Sequence, residues 1–137
     1  MAERERSLIV ARGLLWAVAF GTAVYWLAYL AGLRLSGGPE CAGQLQLAQI
    51  PSNFWIVAAA ALGAIGLRRK RRWGLFMVVA AASAGLYIGL FDITFNIRNG
   101  VYAGPWGQLA PELFANSVCT ILPAYLFYVT FRAPAWE

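Results

Sequence analysis

Four stretches of the chain are apolar for long enough to cross a bilayer, and short polar segments separate them. A membrane-spanning helix needs about 20 mainly apolar residues, because the hydrocarbon core is about 30 Å thick and each residue rises about 1.5 Å. The pattern predicts spans over 8–33, 50–67, 73–95 and 111–131. Short connections make sequence neighbours pack antiparallel. The expected fold is all-α: a four-helix transmembrane bundle, up-down in connectivity, forming a single domain over 1–137. The first span follows Arg4 and Arg6 and contains Arg12, as a secretory signal would begin. Its apolar run is too long for a signal and no A-x-A site closes it, so a retained helix is expected.

The segment between the first two spans has two parts. Ser36-Gly37-Gly38-Pro39 is a turn signal. After it, Gln46, Gln49 and Asn53 recur at steps of three and four, as one face of a helix does. An amphipathic piece within 35–49 is expected to lead into the second span, with Pro51 in that helix's first turn.

Charge orients the bundle. Arg4, Arg6, Arg12, Arg68, Arg69, Lys70, Arg71, Arg72 and Arg132 fall on one side of a four-span layout, and only Arg34 and Arg98 on the other. Basic residues accumulate on the cytoplasmic side. Both termini and the 68–72 loop are therefore expected to be cytoplasmic. The same loop should attract anionic lipid headgroups, and nucleic-acid binding is not expected of so short a run. Trp73 and Trp136 near the basic side, and Trp55 and Trp106 near the other, suit the two interfaces.

Composition sharpens the class. The chain is 61% hydrophobic and 12% charged, with a mean hydropathy of +0.61. Soluble domains run at about 45–50% apolar and about 25% charged. There is no histidine, and there are two cysteines. That removes most haem, zinc and copper chemistry and every imidazole base. No cofactor, metal or catalytic residue is expected. Without a CxxC, the redox chemistry of four-helix thiol-oxidising membrane proteins lacks its essential residues. Whether Cys41 and Cys119 pair is open, since a bridge needs Cα atoms within about 7 Å.

Apolarity does not drive helices together in lipid; close packing at small residues and interhelical hydrogen bonds do. Ala81, Gly85 and Gly89 recur every four residues on the third span, and Gly13, Ala17 and Gly21 on the first. Such stripes mark close helix contacts, within one chain or between two. A homodimer or a larger complex through Ala81, Gly85 and Gly89 is one expectation, intrachain packing the other.

Polar groups at membrane depth are costly, so each asks for an account. Gly89, Asp92 and Asn96 share a face, and Asp92 lies about 29 Å along its helix from Trp73. The fourth span carries Glu112 and Asn116 one turn apart. Antiparallel packing brings these level, beside Arg98, Asn99 and Asn53. The expected ligand site is Asn53, Asp92, Asn96, Arg98, Asn99, Glu112 and Asn116. Each has a plainer account. Glu112 after Pro111 would sit in a first helical turn, where the dipole favours a carboxylate. Asp92 would pair with Arg98 or hydrogen-bond to the loop, fixing the outer hairpin. Asn96 and Asn99 would cap the third helix, with Gly100 as a left-handed stop.

The segments GLRRKRRWG, GLYIGLFDITFNIRNGVY and PELFANSV resemble small bacterial four-helix integral membrane proteins of no assigned activity. Arg71-Arg72-Trp73-Gly74, Asp92, Asn99-Gly100-Val101-Tyr102 and Glu112 with Asn116 carry the resemblance, which covers about half of the chain. It implies a multi-pass protein of a bacterial plasma (inner) membrane. Small multidrug transporters share the size and helix count, but they place a glutamate in helix one, where this chain has no acid. The motif of sterol-isomerase-like membrane folds is not matched. The expected function is binding or transport of a small polar or cationic ligand, or a lipid headgroup, at the outer face. The alternatives are a structural or assembly subunit of a membrane complex, and an acid/base enzyme acting on a lipid-soluble substrate.

Overall fold

A computed structural model of the chain describes residues 2–33 and 40–133, with the backbone alone at Ala2, Glu40, Cys41, Ala42 and Gln108. Expectations for Arg34, the 36–39 turn, the Cys41 side chain and Trp136 lie outside the described residues. The described chain is helical: α1 (Ala2–Leu30), α2 (Glu40–Ala48), α3 (Ile50–Arg68), α4 (Arg72–Arg98), a 3-10 turn (Val101–Ala103) and α5 (Trp106–Phe131). α1, α3, α4 and α5 are each long and apolar enough to cross a membrane. Their outward faces are apolar too, with Phe20 63% and Phe114 72% exposed. In water such surfaces would aggregate; in lipid they are at rest.

The helices lie side by side in the order α1, α3, α4, α5, and α1 meets α5 more lightly. The Tyr125 hydroxyl of α5 donates to the Ser7 carbonyl of α1 at 3.4 Å. One apolar core joins all four at the end nearest the 68–72 loop. It contains Ala11, Leu15 and Ala19 of α1, Ala59, Ala60, Ala64 and Leu67 of α3, Val78, Ala81 and Ala82 of α4, and Leu126 and Val129 of α5. Seven of these twelve are alanine, so the backbones sit close together.

The closest approach joins α3 to α4. A Cβ on Gly66 would lie 2.2 Å from the Gly74 Cα, and one on Gly74 would lie 2.5 Å from the Gly66 carbonyl carbon. Only glycine fits at either position. One turn on, Gly63 meets Val78, so the two helices run antiparallel. The turn between them closes as a Schellman motif: Arg71 N–H donates to Gly66 O at 3.1 Å and Lys70 N–H to Leu67 O at 3.2 Å. The left-handed position, usually glycine, is Lys70 with φ 52°.

The stripe on α4 makes a close contact within the chain, with α5. Gly85 faces Pro123, and a Cβ on Gly89 would lie 2.8 Å from the Cys119 Cβ. Pro123 has no N–H, so the Cys119 carbonyl four residues earlier loses its helical donor. That carbonyl faces Gly89 as well. The stripe on α1 behaves differently: Gly13, Ala17 and Gly21 are exposed, and none of the described residues lies within 4 Å of a Cβ on either glycine. α1 packs through Ala11, Leu15 and Ala19 instead.

Two helix ends differ from expectation. α4 continues to Arg98, and Gly100 with φ 66° follows its Asn99 cap. α5 begins at Trp106 after a Pro105 cap, so Pro111 lies inside the helix. Pro105 already supplies the fixed φ and missing donor that suit a helix entry.

Gly74→Ala should lower stability by about 3 kcal/mol, since backbone rather than a flexible side chain occupies the space. Gly21→Ala should leave it level or raise it by up to about 1 kcal/mol through helix propensity. Lys70→Gly should stabilise by about 1 kcal/mol by relieving the left-handed strain; the lost Lys70–Glu5 pair is exposed and worth little. Thermal unfolding in a neutral detergent checks all three.

Candidate functional site

The end of the bundle away from the basic loop carries polar side chains where the other end carries alanines. The register of α4 against α5 builds it. Glycine contacts at Gly85 and Gly89 place Pro123 and Cys119 opposite them. Continuing in the same sense, Asn96 Nδ2 donates to Glu112 Oε2 at 3.1 Å. Asn96 and Asn116 are each only 5% exposed. A buried amide must find a partner, and Asn116 Nδ2 donates to the Tyr102 hydroxyl of the 3-10 turn at 2.6 Å.

Asp92 is met from the opposite side. Gln49, between α2 and α3, donates through Nε2 to Asp92 Oδ1 at 2.7 Å. Asn53 Nδ2 donates to the Gln49 backbone carbonyl at 3.0 Å and so braces that residue. On α2, Gln46 Nε2 donates to the Tyr25 hydroxyl of α1 at 3.3 Å. The helical face read from Gln46, Gln49 and Asn53 thus closes over the bundle mouth.

Asp92 lies one turn before Asn96 on α4, and Asn96 holds Glu112, so both carboxylates belong to this end of the bundle, where Gln46 also holds Tyr25. Among the described residues the ion pair is Lys70 Nζ to Glu5 Oε1 at 3.7 Å, at the other end of the molecule. Among the described residues neither Asp92 nor Glu112 has a cationic partner. Each carboxylate offers about four acceptor sites, and each accepts one interhelical amide bond. Beside Tyr25, Trp26 and Tyr29 pack edge to face at 5.3 Å. Among the described residues the buried Trp26 indole N–H meets no acceptor.

The structure therefore brings together four of the expected residues: Asp92, Asn96, Glu112 and Asn116. The other three make no hydrogen bond to these four. Asn53 bonds the Gln49 backbone, and Asn99 Nδ2 bonds the Phe95 carbonyl at 2.8 Å, a local helix-end bond. Arg98 is exposed and forms no ion pair with Asp92, whose partner is Gln49. The dipole account of Glu112 also falls, because no acid lies in the first turn of α5 and the effect fades within that turn. Tyr25, Gln46, Gln49 and Tyr102 join the cluster. The three-four spacing signalled both glutamines, whereas nothing in the local pattern distinguished Tyr25 from an interfacial aromatic. Cys119 is a free thiol against Gly89. Among the described residues no three of His, Cys, Asp and Glu come together to hold a metal.

These features define a class: a helical protein with four helices long and apolar enough to cross a membrane, compatible with a multi-pass membrane protein, and with a polar cluster at one end. No family model, curated protein or solved structure matches the chain.

Asn96→Ala strips Glu112 of its amide donor and should cost about 1–2 kcal/mol. Asn99→Ala, at an exposed helix end, should cost less than about 0.5 kcal/mol. Unfolding of the two variants side by side measures the difference.

Proposed function

We propose that the protein is a multi-pass component of a bacterial plasma membrane that binds, and on binding transports, a small cationic or polar ligand or a lipid headgroup between Asp92 and Glu112. Both termini and the 68–72 loop face the cytoplasm, as the distribution of basic residues favours. The site then opens to the outside. The observation that carries the reading is that Asp92 lies one turn from Asn96, which holds Glu112, and that among the described residues neither carboxylate has a cation within ion-pair distance. Two like charges near a low-dielectric bundle repel, and a cation between them relieves the cost. Asn96 and Gln49 hold the carboxylates in place. Tyr25 accepts from Gln46 and still has a proton to donate. Its ring, with Tyr29 and Trp26, offers aromatic faces to a cation.

A second reading has its own support. Every amide of the cluster already has a partner, so the network also serves to lock α2 and the α4–α5 hairpin in a structural or assembly subunit. One experiment separates the two. Purified protein is titrated with sodium, guanidinium and tetramethylammonium, and the melting temperature and flux into liposomes are followed. Binding predicts that at least one cation raises the melting temperature and that Asp92→Asn with Glu112→Gln abolishes the shift while the protein still folds. A double variant that loses its fold, in a wild type that responds to none of the three, favours the structural role.

A further inference from the structure

At the opposite end of the bundle a cavity of about 480 Å³ opens between α1 and α3, lined by Trp16, Ala64, Ile65, Arg68 and Arg69. We propose that it binds one anionic phospholipid, with the phosphate on Arg68 and Arg69 and an acyl chain along Trp16 and Ile65. The proposal rests on the chain lying in a bilayer, and not on the Asp92–Glu112 site.

The order of chemistry in the groove is that of a phospholipid: charge at the mouth, hydrocarbon beneath. Arg68 ends α3 and Arg69 caps it, so the helix holds both guanidinium stems at one rim. The carbonyls that would compete for them are occupied. Ile65 O, Gly66 O and Leu67 O accept from the backbone N–H groups of Arg69, Arg71 and Lys70 at 3.0, 3.1 and 3.2 Å. Neighbouring Lys70 is turned to Glu5, whereas among the described residues neither Arg68 nor Arg69 has a carboxylate within ion-pair distance. A guanidinium fork matches a phosphate diester with two parallel hydrogen bonds, which a lysine cannot supply. Below them, half-buried Ile65 gives an apolar floor, with Ala64 buried behind it. Trp16 forms the wall and stacks on Phe20 at 5.5 Å, and Phe20 lies on the outward face. That strip carries the apolar surface about 6 Å further from the rim, toward the middle of the bundle. Basic pockets between membrane helices on the cytoplasmic side are where anionic headgroups settle.

A general attraction of the 68–72 loop for anionic lipid makes a different prediction from a built groove, and two double variants with equal loss of charge tell them apart. Full-length protein in a neutral detergent is titrated with phosphatidylglycerol, phosphatidylcholine and chain-free glycerol phosphate, reading bound lipid by native mass spectrometry and melting temperature. Phosphatidylglycerol should bind and raise the melting temperature, and the other two should do neither. Arg68→Gln with Arg69→Gln should weaken its binding about 30-fold. Arg71→Gln with Arg72→Gln, outside the groove, should change it little. Equal losses in the two double variants overturn the groove, as does equal stabilisation by glycerol phosphate or phosphatidylcholine.

Discussion

The contact between Gly66 and Gly74 sets the geometry from which the rest follows. In lipid, apolar side chains gain nothing by leaving one apolar phase for another, so helices must be held by fit. Two backbones in direct contact leave no freedom to slide or rotate. The α3–α4 hairpin is thereby fixed in register, and its turn is tight enough to force a lysine into a left-handed conformation. Alanines extend the same close fit to α1 and α5, giving a core made more of backbone proximity than of side-chain volume.

That fit has a chemical consequence at the other end of the bundle. The register of α4 on α5, pinned where Gly89 receives Cys119 and its carbonyl, carries on for two turns and sets Asn96 against Glu112. Pro123 takes part by freeing the carbonyl that Gly89 accommodates. Asp92, on the same face of α4, is met from the side by Gln49. The polar cluster is thus a result of small-residue packing about 5–10 Å away by helical rise. The two ends of the molecule offer opposite chemistry, carboxylates at one and guanidinium groups at the other. Each lies next to apolar or aromatic surface, which suits ligands that are themselves part charged and part apolar.

Much of the candidate site was legible because charge is scarce. Of six acids, only Asp92 and Glu112 fall within the long apolar helices beyond their first turns, and their spacing to Asn96 and Asn116 is helical. Arg98 and Asn99 were drawn in by nearness along the chain. Once α4 continues to Arg98, both lie on its exposed end, and Asn99 satisfies a helix carbonyl. Tyr25 is the reverse case. It is far from the cluster in sequence, and an aromatic near a helix end reads as an interfacial anchor until a partner helix brings it inward.

The sequence by itself determined the number of long apolar helices and the helical faces that carry polar groups. Hydropathy over 20 residues and a 3.6-residue period are local properties, written in the chain without reference to anything else. Tertiary structure decided which small-residue stripe is a contact. Two stripes with the same spacing lie on α1 and α4, yet only the one on α4 meets a helix in this chain. It also decided which partner each polar group takes. Both are questions of which faces meet, and a helix has no record in its own period of the neighbour it will pack against.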